Sequence, residues 1–195
     1  QHHPRSAVLA GGGFIGVGEP TACQHQGRYF QLSDVMGVDR EMGFSLSTDK
    51  YNTCDPHHFI LEDIDSAIDF GEGTTRIYAQ GKHYQILAQD GEYSQLVVNE
   101  YGKGHSVYFA GLPYSPQNCR ILLRAIYYAA GMPEEMKHYY VTNVDTEVTV
   151  FPETKRIAVI NNSEQEQKTD LYIKGKLVEQ LTLAPREMRW VEDAE

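Results

Sequence analysis

The residues best suited to chemistry lie in and just after one loop, residues 18–26, which follows a short apolar run. Glu19 opens this loop and Arg28 follows it. A glutamate at such a position can orient a substrate hydroxyl, and an arginine can bind an anion such as phosphate. The structural alternative has Glu19 capping a helix and Arg28 pairing with an acidic neighbour. We predict that Glu19 and Arg28 bind substrate and leave the alternative open.

The cysteines and histidines do not predict a metal site. Cys54, His57 and His58 are close in the chain, and Cys23 and His25 are candidates for further ligands. Neither group has the two close ligand pairs that are typical of a structural zinc site. We therefore expect no metal.

A nucleophilic active site is equally unsupported. Ser106 and Ser115 lack the G-x-S-x-G context of a nucleophile elbow. Cys23 and His25 are too close in the chain to identify a catalytic pair. The acidic residues are many, but no two of them are marked as a paired acid and base. We assign no catalytic residue to this chain.

The glycines at 11–13 predict a turn rather than a nucleotide-binding loop. They precede the apolar run at 14–17, which is the order expected where a helix ends and a buried strand begins. A phosphate-binding loop needs the strand first and the helix last. The helix before these glycines is only a stub, residues 5–10, so we expect the chain to be the C-terminal part of a larger protein.

The first two thirds of the chain predict an α/β domain. Ser115 is a suitable N-cap and Pro116 a suitable first residue for a helix at 116–130, which Gly131 ends. Apolar residues at three- and four-residue spacing give this helix one buried face. The other expected elements are a helix at 29–36 and strands at 59–61, 76–79, 84–89, 95–101 and 106–112.

The remainder predicts a small all-β antiparallel sandwich. Residues 132–138 are expected to form a linker, and six short β runs separated by turn residues follow it. The predicted division is therefore residues 1–133 for the C-terminal part of an α/β domain and residues 134–195 for a β domain.

Composition excludes several classes of partner. The chain has 195 residues, a formal net charge of −10 and a hydrophobic fraction of 41%. Nucleic acid and anionic membranes reward a basic surface, so neither is expected as a partner. No apolar stretch reaches the roughly 20 residues needed to span a bilayer, and the N-terminus lacks a signal-peptide core. Three cysteines without a disulfide framework are typical of a reducing cytoplasm, which is the predicted location.

Three segments carry a specific resemblance: GGGFIGVGEPTA, HQGRYFQLSDVMGVDREMGFSLSTDKYN and GKGHSVYFAGLPYSPQNCRILLRAIYYAAG. They resemble the lacto-N-biose/galacto-N-biose phosphorylase family, whose members cleave β-1,3-galactosyl-N-acetylhexosamines with inorganic phosphate. The resemblance implies a TIM-type barrel, then a glutamine-amidotransferase-like, flavodoxin-like α/β domain, then a β domain. This chain resembles the end of the second and the whole of the third.

The resemblance also implies that catalysis resides elsewhere. The family's general acid is an aspartate of the barrel, and no residue here matches it, so the chain alone is expected to be inactive. The implied partners are the galactosyl disaccharide and phosphate, bound through the parent enzyme, and the barrel itself. Phosphate attacks in place of water with inversion, so no cofactor is implied, and a homo-oligomer is left open.

Two alternatives remain open. The same scaffold occurs in a galactosyl-rhamnose phosphorylase, whose acceptor is recognised by barrel residues that this chain lacks. The other alternative is a free-standing carbohydrate-binding or oligomerisation module without catalytic activity.

Overall fold

The computed structural model describes residues 3–25, 28–41, 53–64 and 67–192, and for residues 22–25 and 28 it describes the backbone alone. The chain divides into two compact units, Gln1–Met132 and Pro133–Glu195. Each unit has its own hydrophobic core. Within the described ranges, no helix has both the length and the apolar composition needed to cross a membrane.

The first unit is built around one sheet with short elements packed on it. Its helices are α1 (Pro4–Leu9), α2 (Ser33–Met36) and α3 (Pro116–Ala129), and a 3-10 turn spans Phe59–Leu61. Its strands are β1 (Gly13–Val17), β2 (Ala22–His25), β3 (Arg28–Phe30), β4 (Val38–Arg40), β5 (Ile77–Ala79), β6 (Tyr84–Asp90), β7 (Tyr93–Tyr101) and β8 (Gly104–Phe109).

The central sheet has the order β1-β8-β7-β6. β1 runs parallel to β8, whereas β8, β7 and β6 are antiparallel to one another. Gly91 and Gly102 form the tight turns of this meander with φ of 56° and 66°, a left-handed conformation that side chains disfavour. The described part of the unit also contains two small sheets, β2–β3 and β4–β5.

Both faces of the central sheet are buried, because successive side chains of a strand point to opposite faces. Val97 and Tyr108 belong to one apolar cluster together with Met36 of α2. Val107, one residue before Tyr108, belongs to the second cluster together with Ile121 of α3. Strands buried on both faces explain the nearly continuous apolar segment SVYFAGL.

The long helix α3 begins and ends as its sequence predicts. The Ser115 hydroxyl oxygen accepts a hydrogen bond from the Asn118 N–H at 3.0 Å, and Gly131 follows the helix with φ of 72°. The end of α3 packs so closely on β1 that a Cβ at Gly13 would lie 2.4 Å from the Ala129 carbonyl oxygen. Gly13 is therefore required by the packing of this helix.

The predicted fold class of the first domain is wrong. The expectation was an α/β domain of the glutamine-amidotransferase-like or flavodoxin-like kind, but most pairings of the central sheet are antiparallel and only one is parallel. The physical reason is the tight turns at Gly91 and Gly102: such turns join antiparallel strands, whereas parallel strands need long crossovers. In the described residues strands far outnumber helices.

Three local predictions also differ. The expected helix at 29–36 is a strand followed by a short helix: Arg28–Phe30 pairs with β2, and only Ser33–Met36 is helical. The expected strand at 59–61 is a 3-10 turn. His58 precedes this turn and caps it, because the His58 side chain accepts a hydrogen bond from the Ile60 N–H. The expected linker at 132–138 contains a short helix, α4 (Pro133–Met136).

The second unit is the antiparallel sandwich that the turn spacing predicts. One sheet has the order β10-β11-β14 and the other β13-β12-β9. The strands are β9 (Tyr139–Val141), β10 (Thr146–Phe151), β11 (Arg156–Asn161), β12 (Gln167–Ile173), β13 (Lys176–Leu183) and β14 (Met188–Glu192). The inward-facing residues of both sheets form one core, which includes Ile157, Leu171 and Leu183.

One buried amide organises the turns of this sandwich. Asn161 is fully buried, and its Nδ2 donates to the carbonyl oxygens of Gln165, Leu183 and Ala184. Its Oδ1 accepts from the N–H and the hydroxyl of Ser163. A side chain that both donates and accepts thereby satisfies backbone groups that the strands leave unpaired.

Candidate functional site

The loop after β1 is anchored over the carboxyl ends of the two parallel strands. The Gly18 N–H donates to the Phe109 carbonyl oxygen at 2.9 Å, and the Tyr108 hydroxyl donates to the Gly18 carbonyl oxygen at 2.8 Å. Next to it, the Thr74 N–H donates to the Ala110 carbonyl oxygen at 2.8 Å. Ligands commonly bind beyond the carboxyl ends of parallel strands, so this end of the sheet is the candidate site.

Glu19 belongs to a side-chain cluster at this end of the sheet. Its carboxylate accepts hydrogen bonds from the Tyr29 hydroxyl, at 2.9 Å, and from the Arg40 guanidinium. Arg40 also donates to the Tyr29 hydroxyl at 3.2 Å, and its guanidinium carbon lies 5.1 Å from the centre of the Tyr29 ring. We call Glu19, Tyr29 and Arg40 the Glu19 cluster. Its two charged side chains are partly exposed, so a ligand can reach them.

The second predicted site residue, Arg28, is placed by its backbone alone. It lies in β3, in register with His25 of β2. Its side chain falls outside the described part of the chain.

A buried carboxylate holds the strands that carry the cluster. Asp39 is 2% exposed, and its Oδ1 accepts hydrogen bonds from the backbone N–H groups of Tyr29, Phe30 and Arg40 at 3.1, 3.0 and 2.9 Å. These bonds join β3 to β4, which supply Tyr29 and Arg40 respectively. Charge-assisted bonds to a buried carboxylate are among the stronger hydrogen bonds of proteins. Asp39 thus positions two of the three members of the cluster.

Tyr108 lies beneath the loop that follows β1 and is hydrogen-bonded to it. Its ring is fully buried in the first apolar cluster, and its hydroxyl reaches the Gly18 carbonyl. Burial raises the pKa of Tyr108 well above its ordinary value, since the phenolate would lose its hydration. The hydroxyl therefore stays protonated and acts as a donor that fixes the loop carrying Glu19.

The chemistry of the Glu19 cluster is that of recognition. Glu19 offers carboxylate oxygens that accept from hydroxyl groups, Arg40 offers N–H donors, and Tyr29 offers both a hydroxyl and a ring face. The charges of Glu19 and Arg40 offset each other. This combination suits an uncharged ligand with several hydroxyl groups, because an anion at Arg40 would also meet the Glu19 carboxylate.

Sequence reasoning found Glu19 but missed Asp39 and Arg40. Glu19 was marked by its position in a loop after an apolar run, whereas Asp39 and Arg40 sit in a short strand, β4. The available signal was the carboxylate of Asp39 directly after the uncharged segment 35–38, since a carboxylate next to a buried segment needs several donors.

Four of the other candidate residues, Ser106, Ser115, His57 and His58, have structural partners. The Ser106 hydroxyl is buried and donates to the Val35 carbonyl oxygen at 2.6 Å, and Ser115 caps α3. The His57 Nδ1 lies 2.9 Å from Asp55, and the His58 Nδ1 accepts from the Ile60 N–H. Among the described side chains, those of residues 3–21, 29–41, 53–64 and 67–192, no three of His, Cys, Asp or Glu converge to hold a metal ion, and the side chains of Cys23 and His25 lie outside these ranges.

Comparison with known proteins gives matches along almost the whole chain. Residues 3–134 match the family model described as "Lacto-N-biose phosphorylase central domain", and residues 139–191 match "Lacto-N-biose phosphorylase C-terminal domain". A 1,3-beta-galactosyl-N-acetylhexosamine phosphorylase of Lachnoclostridium phytofermentans is 52% identical over 168 residues, which are 86% of this chain and 23% of that protein. The chain thus spans about a quarter of the length of the curated relatives it matches.

Two further similarities are more distant. A D-galactosyl-beta-1->4-L-rhamnose phosphorylase of the same organism is 31% identical over 87% of this chain and 23% of that protein. The solved structure of a beta-galactosidase from Rahnella sp. R3 superposes with a TM-score of 0.54 and 20% identity, over 95% of this chain and 29% of that one. At this identity the structural match concerns the fold alone.

Proposed function

Because the chain belongs to the lacto-N-biose phosphorylase family, we propose that it forms the central and C-terminal domains of a disaccharide phosphorylase. The proposed reaction converts a β-1,3-galactosyl-N-acetylhexosamine and inorganic phosphate into α-galactose 1-phosphate and the free N-acetylhexosamine, with inversion. The observation that carries this proposal is the 52% identity over 86% of the chain to a phosphorylase named for that substrate class.

The mechanism requires one acid and one nucleophile. A carboxylic acid protonates the leaving glycosidic oxygen while a phosphate oxygen attacks the galactosyl carbon from the opposite face. Phosphate is a co-substrate, and no cofactor is part of the proposal. The acid is proposed to come from the catalytic barrel of the whole enzyme, so the chain alone is proposed to be inactive. The barrel is then its principal partner, and assembly into a homo-oligomer is a further part of the proposal.

Within this enzyme the Glu19 cluster is proposed to line the substrate cleft. Glu19 is proposed to accept a hydrogen bond from a sugar hydroxyl, with Arg40 donating to a neighbouring oxygen. Arg28, twelve residues before Arg40 at the start of β3 in the same structural unit, is proposed to contact phosphate. The position of the cluster beyond the carboxyl ends of β1 and β8 supports this assignment.

The acceptor sugar is the part of the proposal with a competing candidate. Similarity to the galactosyl-rhamnose phosphorylase, at 31% identity, favours the same reaction with rhamnose as acceptor. The 52% match favours N-acetylhexosamine. In either case galactose 1-phosphate is the product.

The test is phosphorolysis by the 195-residue chain and by the full-length polypeptide that contains it. Each receives phosphate with lacto-N-biose, galacto-N-biose or galactosyl-β-1,4-rhamnose, and galactose 1-phosphate is measured. We expect product from the full-length polypeptide with the N-acetylhexosamine disaccharides and none from the chain alone. Product from the rhamnose disaccharide alone would move the assignment to the second candidate. No product from any of the three would overturn the proposal.

The role of Glu19 is tested in the active polypeptide. Removing a hydrogen bond to a charged group costs about 1.5–3 kcal/mol, and each 1.36 kcal/mol is tenfold in rate. Glu19→Ala, which removes the acceptor altogether, should therefore lower kcat/KM for the disaccharide about 10- to 100-fold. Glu179→Ala, at an exposed residue of β13, is the matched control and should leave kcat/KM unchanged. An unchanged kcat/KM in Glu19→Ala would remove Glu19 from the cleft.

A further inference from the structure

The β10-β11-β14 sheet of the second unit has an outer face with its own chemistry. Ile157, Val159 and Val191 point into the sandwich core, so their neighbours along each strand point outward. We call these outward residues the outer face. Its nine members, row by row across the three strands, are Glu147, Ile160 and Met188; Thr149, Ala158 and Trp190; Phe151, Arg156 and Glu192.

Two aromatic rings meet near the centre of the outer face. Trp190 and Phe151 are on the two outer strands, and their ring centres are 5.4 Å apart with an interplanar angle of 54°. Ala158 lies directly opposite Trp190 on the middle strand and is 1% exposed, although its side chain points outward. Trp190 and Phe151 themselves are 47% and 42% exposed. Large side chains therefore cover the small central residue while keeping much of their own surface open.

Polar side chains border the two rings. Arg156 lies opposite Glu192, and its guanidinium carbon is 5.9 Å from the centre of the Trp190 ring. Glu147 accepts a hydrogen bond from the Asn162 amide at 3.0 Å at the opposite end of the face. The face thus combines an open aromatic surface with hydrogen-bond donors and acceptors beside it, and it carries no excess of positive charge.

We propose that the outer face is a binding site for a neutral oligosaccharide, separate from the Glu19 cluster. A pyranose ring presents C–H groups on one face and hydroxyl groups around its edge. The C–H groups fit against the negative faces of the Trp190 and Phe151 rings. The hydroxyl groups fit the Arg156 guanidinium and the Glu192 carboxylate, which respectively donate and accept.

Charge argues against two other occupants. An anionic ligand would meet Glu147 and Glu192 as well as Arg156 on this face. A second copy of the chain, which also carries a formal net charge of −10, meets one arginine here against the carboxylates of Glu147 and Glu192, so the face does not complement its charge. A neutral ligand is not repelled by the carboxylates of this face.

The test uses Trp190, which is the single tryptophan of the chain and therefore reports on this face alone. The 195-residue chain is titrated with lacto-N-biose, with cellobiose and with inorganic phosphate while tryptophan emission is followed under selective excitation. We expect a saturable emission change with one or both disaccharides and none with phosphate. The expected Kd is about 1 mM, because a flat face buries only one side of the ligand.

Variants assign the response to the outer face. Phe151→Ala should abolish the saturable change, and Leu177→Ala, another exposed apolar residue of the same unit, should preserve it. No response to either disaccharide, or a response that survives Phe151→Ala, would overturn the proposal. So would emission that depends on protein concentration instead of sugar, which would assign the face to a second copy. Phosphorolysis is not involved, so this result is independent of the proposed enzyme activity.

Discussion

The two units of this chain bury their sheets in different ways. The first unit covers both faces of a single sheet, with α2 on one side and α3 on the other. The second unit packs two sheets against each other and covers one face of each. The difference decides where functional surface is left: at the strand ends and loops in the first unit, and on an open sheet face in the second.

The two units also satisfy buried polar backbone with opposite chemistry. In the first unit the Asp39 carboxylate accepts from three backbone N–H groups. In the second unit the Asn161 amide donates to three backbone carbonyls. A carboxylate can only accept, whereas an amide accepts and donates. The residue type at each position is therefore set by the backbone groups that face it.

Exchanging Asp and Asn at these two positions should affect the free energy of unfolding unequally, because one side chain must donate and the other must accept. Asn161→Asp removes the amide nitrogen that donates to all three carbonyl oxygens and buries a carboxylate against them, so we expect a loss of about 3–5 kcal/mol in the free energy of unfolding. Asp39→Asn keeps an oxygen that can accept, so a loss of about 1–2 kcal/mol is expected. Urea unfolding of each variant measures both values.

A control at an exposed position shows how much of the stability loss comes from the change of charge alone. Asp90→Asn changes the same charge at an exposed position and should stay within about 0.5 kcal/mol of the parent. Equal losses for Asn161→Asp and Asp39→Asn would contradict the assignment of donor and acceptor roles.

Cavity variants should distinguish the sheet with two buried faces from the sandwich with one core. Leu96→Ala and Leu171→Ala each remove a fully buried leucine, at an expected cost of about 2–5 kcal/mol. Leu96 faces α3, so hydrogen exchange should accelerate in α3 more than in β4 and β5 on the opposite face. Leu171 lies in the single core between two sheets, so exchange should accelerate in both.

Peptide-resolved hydrogen exchange provides the measurement, and Leu177→Ala, an exposed position, provides the control. If Leu96→Ala accelerated exchange equally on both faces of its sheet, the two clusters would behave as one core and the comparison would fail.

A smaller effect is expected from pH in the first unit. Burial lowers the pKa of His58, whose ring packs edge-on against Tyr128 at 4.7 Å. The folded state then binds fewer protons than the unfolded state, in which histidine titrates near about 6.5. The stability contribution is therefore fully present above about pH 6.5 and is lost as pH falls toward the lower folded-state pKa.

His58→Asn should weaken this pH dependence, because an asparagine oxygen can still accept from the Ile60 N–H without titrating. Thermal unfolding midpoints between pH 7 and about pH 5 measure the slope. A slope that stays the same in His58→Asn would contradict the assignment of this titration to His58.

The elements predicted best from the sequence are those with strong local signals. Helix α3 is bounded by Ser115 and Gly131, and the strands of the sandwich are separated by turn residues at regular spacing. The prediction of a single helix at residues 29–36 was wrong. In so short a segment, the spacing of apolar residues is the same for one helix and for a strand followed by a helix. Pairing of Arg28–Phe30 with β2 decided that segment.

The candidate site was predictable in part for the same reason. Glu19 stands at a loop after a buried strand, and that context is visible in the sequence. Arg40 and Asp39 reach the same place through pairing of β4 with β5 and through bonds to β3, which no local pattern specifies. The substrate-binding roles of Glu19 and Arg28 stay predictions.

The family resemblance, helix α3, the sandwich strands and the glycine turns follow from local sequence patterns, because each depends on residues close together in the chain. Three features come from strand pairing instead: the mainly antiparallel central sheet, the placement of Tyr29 and Arg40 beside Glu19 by Asp39, and the open face shared by Trp190 and Phe151. These features depend on which strands become neighbours, and that choice minimises the free energy of the whole chain rather than of any one segment.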